Sequence, residues 1–523
     1  MKFKYNFLKI MVIAISVGSL SSCEDFLTRD YDGAIDEDKM FKDEKYLESN
    51  VQGIFNQMKE SFKDEHCWMY LTATDEIQRG ALQSKEAMSG CFDKFDANLN
   101  SENDRIRNEW NIRWGAITSA AKVISKNEGT VEEGTKRAHL YGEACFIRGY
   151  MDFELAMYWG KIPTIDLTRI KELGYGRQPL DVTWKFIIKD FENAAKYCPK
   201  ANTPGRATTY AANMMLAYAY MAAPESTGLR DFKKAKTVLE ENVINGPFSL
   251  VPFADLFDYN RPNSAEAIFE LQYGNTHPNN NQIQFQIGSR VAQNWWSDGC
   301  YYAGYDHIVI TDYAYKTVEQ GGVWEYGDIR KEESIRYDFT YYGEEPDLDC
   351  VSWEGLGEDH DELKPHLKKY EDFRTDQHSG LGINNMWNCG KNIPVLRFAN
   401  ALLLYAECLN ETGSTPEAIE IVNRVRTRAW DNNLPTDKRW SSMSKDEFRI
   451  KIMDERIREL IGEKWRKIDL VRTGNYVKLV KERNKWTKRA GLIADHNTVW
   501  PIPATEIEQN EDMTPEDQNE GYR

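Results

Sequence analysis

None of the nine cysteines forms a Cys-x-x-Cys pair, which argues against a zinc ribbon or a thioredoxin-like redox centre. The nucleophile elbow, the H-E-x-x-H helix and the Walker A loop are missing as well. Gly390-Lys391 lacks the glycine spacing that should precede it, and Gly174-Tyr175-Gly176 meets Pro179 where a dinucleotide loop needs its third glycine. Positive charge is in deficit: 66 Lys and Arg against 83 Asp and Glu give a formal charge of −17. Such a surface disfavours nucleic acid and electrostatic attachment to anionic lipid. With 83 carboxylates, accidental acid pairs are inevitable. A glycosidase further needs one raised-pKa acid at a set distance from its partner, which no sequence displays. The chain therefore reads as a non-enzyme. Nor does any apolar run reach the roughly 20 residues that span a bilayer as a helix.

What is present begins at the N-terminus. Lys2, Lys4 and Lys9 precede an apolar run over 10–20, closed by Leu20-Ser21-Ser22-Cys23. Positive n-region, short h-region and small residues make a secretory signal peptide over 1–22. The closing four residues resemble a bacterial lipobox, which implies acylation of Cys23. Several acyl chains give a lasting anchor where one gives only a marginal one. Glu24-Asp25 then resembles the acidic export signal of Bacteroidetes surface lipoproteins. The expected localisation is the outer membrane at the cell surface, with contact to the membrane through lipid only. That compartment permits disulfides, but the eight remaining cysteines allow 105 pairings. Cys145 and Cys408 lie in helical apolar patterns and read as free buried thiols.

The mature length suits two or more packed units. Residues 23–43 are acidic and read as a flexible tether. Apolar spacing predicts helices over 44–62, 104–127, 135–159, 181–197, 207–222 and 231–244. Between the first two, 88–103 is rich in Asn, Ser and Gly and reads as a long loop, a common setting for binding. Paired, alanine-rich helices of this length resemble tetratricopeptide repeats, whose apolar faces are buried only by stacking. Ala211, Ala217 and Ala219 are candidates for the close crossings. The division is then 44–271 helical, 272–395 irregular and crowded with Tyr, Trp, Gly, Asn and Asp, and 396–523 helical again. A helix is expected near 311–319 and another over 396–410. Thr415-Pro416 reads as a cap followed by proline at the first helical position, and Ser444 to Glu447 as a capping box opening a helix to 461.

Several blocks together resemble the SusD-like (RagB/SusD) family of outer-membrane nutrient-binding lipoproteins. They are Arg148-Gly149-Tyr150 through Tyr158-Trp159-Gly160-Lys161-Ile162-Pro163, Gly205-Arg206-Ala207, and Glu266-Ala267-Ile268-Phe269-Glu270. Leu396-Arg397-Phe398 through Glu407 follows, then Glu455-Arg456-Ile457-Arg458-Glu459-Leu460 with Trp465 to Arg472, and finally Trp500-Pro501-Ile502-Pro503 with Gln518 to Tyr522. The last block departs from the family only in Glu520, where proline is common. The resemblance implies a mainly α fold: a tetratricopeptide-like helix-pair scaffold with an irregular, loop-rich ligand-binding half. It also implies a partner, a SusC-like TonB-dependent transporter, to which oligosaccharide is handed without bond cleavage.

Sugars present apolar C–H faces edged by hydroxyls, so a site for them wants exposed rings beside Asp, Asn, Gln and Arg. Trp295, Trp296, Tyr301 and Tyr302, with Asn294 and Asp298 among them, have that mixture in the middle segment. By the family's use of early loops, Trp68, Tyr70, Asp75 and Phe92 are secondary candidates. Trp110, Trp114, Trp159, Trp184 and Trp465 fit helix faces or ends and read as scaffold. The acidic runs 344–349 and 358–362 are oxygen-rich but miss the EF-hand spacing. Calcium is thus open but not predicted, and no cofactor is expected. His360 and His366 are isolated and read as exposed or core residues. Two other readings remain at this point: a peptide-binding member of the same family, and a helical-repeat scaffold without a small ligand.

Overall fold

The computed structural model describes residues 37–63, 66–167, 176–274, 276, 278–288, 296–297, 300–301, 304–337, 340–341, 351–352, 364–371 and 389–522. The leader, Cys23 and most of the tether therefore lie outside the described residues, as do both acidic runs and His360.

The scaffold begins with α1 (Glu44–Glu60), α2 (Asp104–Asn127), α3 (Lys136–Trp159), α4 (Leu180–Tyr197), α5 (Thr209–Ala222) and α6 (Phe232–Leu239). Side-chain caps fix the starts: Asn103 accepts from the amides of Arg105 and Ile106, Thr135 from Ala138, Thr208 from Ala211 and Asp231 from Lys234. Each satisfies amides that a helix start otherwise leaves orphaned. Consecutive helices pack in turn, α1 on α2 and α3, then α3 on α4, α4 on α5 and α5 on α6. Glycine decides the α3–α4 approach. A Cβ on Gly142 would stand 2.6 Å from the Cys198 amide nitrogen, and one on Gly149 3.1 Å from Asp190 Cβ. Ala211, Ala217 and Ala219 are fully buried on α5. Arg148 ties the same pair with two bonds to Asp190, at 2.7 and 2.8 Å.

The C-terminal helices are α7 (Phe398–Glu411), α8 (Thr415–Ala429), α9 (Lys445–Leu460) and α10 (Arg466–Arg472). They join the first group where α6 meets α7. Between the groups lie short elements. β1 (Ile77–Arg79) pairs antiparallel with β3 (Ile308–Ile310), and β2 (Ala267–Leu271) with β4 (Ile393–Arg397).

A buried ionic network locks this middle part to the scaffold. Glu455, Glu459 and Glu463 recur at four-residue spacing along and just beyond α9, so they share a face. Glu455 meets Arg330 and Arg426 at 2.8 Å and Arg458 at 2.7 Å. Glu459 meets Arg330 at 2.9 Å and both Arg397 and Arg428 at 2.5 Å. Glu463 holds Arg397 at 2.8 Å and Lys369 at 2.7 Å. Burial alone would raise the Glu455 pKa, but Arg330, Arg426 and Arg458 together bring it down to about 2. Removing one member of such a set leaves a buried charge uncompensated, at about 3–5 kcal/mol.

Several local expectations change. The stretch 88–103 opens with a helix, Ala87–Lys94, whose Gly90 lies against the Ser84 backbone and which ends at Phe95 in the left-handed region. The 231–244 helix turns into a π-helical turn at Glu240–Ile244. The first two residues of 396–410 belong to β4, and 311–319 holds only Asp312–Tyr315 and a 3-10 turn at Val318–Gln320. Ser414 precedes α8 as its cap residue, while the Thr415 hydroxyl donates to Asn410 Oδ1 at 2.8 Å. Ser444 caps α9 as expected, accepting from the Glu447 amide. Cys145 and Cys408 are buried thiols outside any disulfide, as are Cys91 and Cys198.

Candidate ligand-binding site

The β1–β3 pair sets Arg79 opposite Ile308, which brings the Arg79 side chain to the preceding residue, His307. Arg79 Nη2 lies 3.1 Å from His307 Nδ1. The chain entering β3 is pinned to a short helix, Ile283–Ile287, by backbone bonds. Tyr305 donates to the Phe285 carbonyl at 2.8 Å, Asp306 to Gly288 at 2.9 Å and His307 to Gln286 at 3.1 Å. Glycine is needed here, because a Cβ on Gly304 would overlap the Gly288 backbone. Below, Asp306 is braced by His366 Nε2 at 2.9 Å.

On this frame four side chains form one column. Tyr305 stacks on His307 with centroids 4.9 Å apart, and His307 stacks on Trp68 at 5.7 Å and an interplanar angle of 1°. The Arg79 guanidinium lies 3.7 Å from the centre of the Trp68 ring. His307 and Trp68 are buried, while Tyr305 is 43 % exposed, and Leu82 and Met88 are exposed nearby in sequence to the segment that reaches it. Gln83 Nε2 donates to the Tyr305 carbonyl at 2.9 Å and fastens that segment to the column.

The same elements carry buried polar atoms with no hydrogen-bond partner among the described residues: Arg79 Nε and Nη1, Trp68 Nε1, and the side-chain oxygens of Gln83, Gln284 and Gln286. A buried group left this way costs about 1–3 kcal/mol, so the frame behind Tyr305 carries polar atoms that the fold itself leaves unmet. Burial, only partly offset by Asp93, pushes the Arg79 pKa down to about 9, which leaves it charged at neutral pH. An exposed ring face held rigid from behind is equipment for stacking on the apolar face of a sugar.

Comparison with known proteins agrees with the fold. A model described as the SusD family matches residues 265–522, and one described as starch-binding associating with outer membrane matches 26–222. The chain belongs to the SusD family. SusD-like protein P2 of Formosa agariphila is 24% identical over 100% of both chains, and a SusD-like protein of Bacteroides ovatus is 24% identical over 80% of this chain and 76% of that one. Among solved structures, a laminarin binding SusD-like protein superposes with a TM-score of 0.71 at 20% identity, covering 91% of this chain and 99% of its own. Surface glycan-binding protein A from Bacteroides thetaiotaomicron in complex with laminarihexaose gives 0.71 at 18% identity over the same shares. Likeness at that identity shows a common SusD fold.

Against this fold the early candidates move into the core. Trp68 lies inside the column, and Phe92 is buried edge-on to it with centroids 5.9 Å apart. Tyr70 donates its hydroxyl to Glu109 Oε2 at 2.8 Å. Asp75 is spent on Arg466 at 2.6 and 2.7 Å and on Arg483 at 2.9 Å. These cations hold its pKa below the ordinary carboxylate value although burial raises it. All four are at most 1% exposed, so they support a ligand surface rather than form it. Trp296 and Tyr301 are paired residues of a two-residue antiparallel ladder, and nothing is described of their side chains. Asn294, Trp295, Asp298 and Tyr302 lie outside the described residues. His366 is a core residue, as one of its two expected roles had it. Sequence reasoning missed Arg79, Gln83, Gln286 and the use of Tyr305. The one signal for them was the apolar triplet Ile308-Val309-Ile310 directly after His307, which could have marked a buried strand.

Proposed function

We propose that this SusD-family chain is a glycan-binding surface lipoprotein that delivers oligosaccharide to a SusC-like TonB-dependent outer-membrane transporter. In this reading Cys23 carries the lipid anchor, and the protein binds without cleaving bonds. The observation that carries it is Tyr305, an exposed ring on a buried column flanked by unpartnered Arg79 and Gln atoms. The ring takes the C–H face of a sugar unit, while Arg79 and the glutamines are buried behind it and hold it in place. By their sequence, Trp295, Trp296, Tyr301 and Tyr302, with Asn294 and Asp298, are candidates for an extension of the site. Two solved relatives whose descriptions name laminarin or laminarihexaose share the fold and support a glycan ligand. The outer-membrane assignment is supported by the description of the matching family model. No helix among the described residues is long and apolar enough to cross a membrane, which fits attachment by lipid.

The test is calorimetric titration of the mature protein, with Cys23→Ser, against laminarihexaose, cellohexaose, xylohexaose and mixed peptides. Binding of one glycan, weakened about tenfold or more by Tyr305→Ala, is the expected result, since tenfold is only about 1.4 kcal/mol. A Trp295→Ala, Trp296→Ala variant measures the extension. Heat from peptides alone would replace the glycan with a peptide ligand. Unchanged glycan binding in Tyr305→Ala would sink the site.

A further inference from the structure

A second pocket, of about 180 Å3, opens between the 3-10 turn Phe253–Phe257 with the loop after it and the ends of β2 and β4. Phe257, Tyr259 and Tyr273 give it ring walls, and Glu270, Gln272 and Asn392 give it a polar floor. That floor is preorganised. Asn392 Nδ2 donates to Glu270 Oε1 at 2.8 Å and to Gln272 Oε1 at 2.9 Å, while its own Oδ1 accepts from the Tyr273 amide at 2.9 Å. Gln272 and Asn263 exchange side-chain amide bonds of 2.8 and 3.0 Å. The Asn263 amide also donates to Glu270 Oε1, at 3.0 Å. Both bonds to Glu270 thus end on one oxygen; Oε2 takes none among the described residues, although the side chain is only 7% exposed.

We propose that this pocket is a second saccharide subsite that takes one neutral sugar ring, with Glu270 Oε2 as the hydroxyl partner and the Tyr259 ring as its platform. The proposal rests on the glycan-binding reading above but uses none of the residues of the Tyr305 column. A pocket of about 180 Å3 suits one sugar ring and is smaller than the roughly 300–1,000 Å3 of drug-sized ligand sites. Neutral ligand chemistry follows from the lining: the amides are already paired with one another, and Lys391 Nζ at the pocket wall is engaged by the Glu371 carbonyl at 3.0 Å. The Glu270 pKa is raised, with burial the main cause against the Asn263 and Asn392 bonds. A subsite away from the Tyr305 column lets a long polysaccharide be held at two points, which multiplies avidity when the spacing fits.

The experiment places a single 3-fluorotyrosine at Tyr259 in the mature protein and follows its 19F resonance during titration with glucose, xylose, laminarihexaose and xylohexaose. A saturable shift is expected that persists in Tyr305→Ala. In Glu270→Gln, which keeps Oε1 and replaces the free acceptor, the affinity read at Tyr259 should fall about tenfold, the worth of one charge-assisted bond. Near-UV dichroism confirms that each variant is folded. A shift abolished by Tyr305→Ala, or unchanged by Glu270→Gln, overturns the subsite. A silent Tyr259 beside calorimetric binding lost in Tyr305→Ala overturns the subsite and keeps the glycan reading. Silence in both measurements overturns both.

Discussion

Arg79→Met separates stability from function, because the structure gives this arginine more unmet bonds than met ones. In the native protein its guanidinium makes one contact with His307 Nδ1 at 3.1 Å and one with the Trp68 ring at 3.7 Å. The first is worth about 1–1.5 kcal/mol, and a desolvated cation–π contact about 2 kcal/mol. Against these, Nε and Nη1 are buried without partners, at about 1–3 kcal/mol each. The two sides nearly cancel. Methionine keeps much of the volume and removes the orphaned donors, so the expected stability change is within about 2 kcal/mol of zero, well below the cost of breaking a buried ion pair. Affinity should behave differently. Arg79 braces His307, on which Tyr305 stacks, so its loss should let the exposed ring shift and weaken binding about three- to tenfold. Urea unfolding of the mature Cys23→Ser protein measures the first quantity through the midpoint at constant slope, and calorimetry with the bound glycan measures the second. A stability loss above about 3 kcal/mol with unchanged affinity would refute the reasoning, for it would make Arg79 a structural residue.

Three further outcomes are expected. Glu459→Gln leaves Arg330, Arg397 and Arg428 around a neutral amide and should cost about 3–5 kcal/mol in urea unfolding. Arg330 anchors the middle segment, so proteolysis of that segment should accelerate in the same variant. Lys467 has no hydrogen-bond partner among the described residues, sits among the rings of Tyr158, Tyr476 and Trp500 at 4.8, 5.2 and 4.7 Å, and has its pKa pushed by burial down to about 7. The unfolded chain, with an ordinary lysine pKa of about 10.4, binds more protons across the interval between the two values, so stability should rise with pH through it. Lys467→Met should flatten that rise and stabilise most below the window, as urea midpoints on either side of it will show. Gly304→Ala pushes a Cβ into the Gly288 backbone and should displace Tyr305, weakening glycan binding while near-UV signals of the helical core persist.

The helices were legible because their causes are local. A 3.6-residue apolar period and a capping side chain at Asn103, Thr135 or Ser444 act within a few residues, and the expected span 104–127 matches α2. Where the period lapses, the sequence loses its voice. Trp68 and Tyr305 both lie outside the helices that apolar spacing predicts, yet one is core and the other surface. The difference comes from partners far along the chain: Arg79 meets His307 across 228 residues, and Asp75 meets Arg466 across 391. The charged residues of α9 and of Arg397 show the same limit. Glu and Arg at helical spacing read as a solvated face, and only the approach of Lys369, Arg330 and Arg397 turns that face inward and demands mutual neutralisation. Sequence alone thus determined the helical segments, the acidic character and the family. Tertiary structure decided which aromatics are support and which are surface, because burial in an irregular segment is set by long-range contacts that no local pattern encodes.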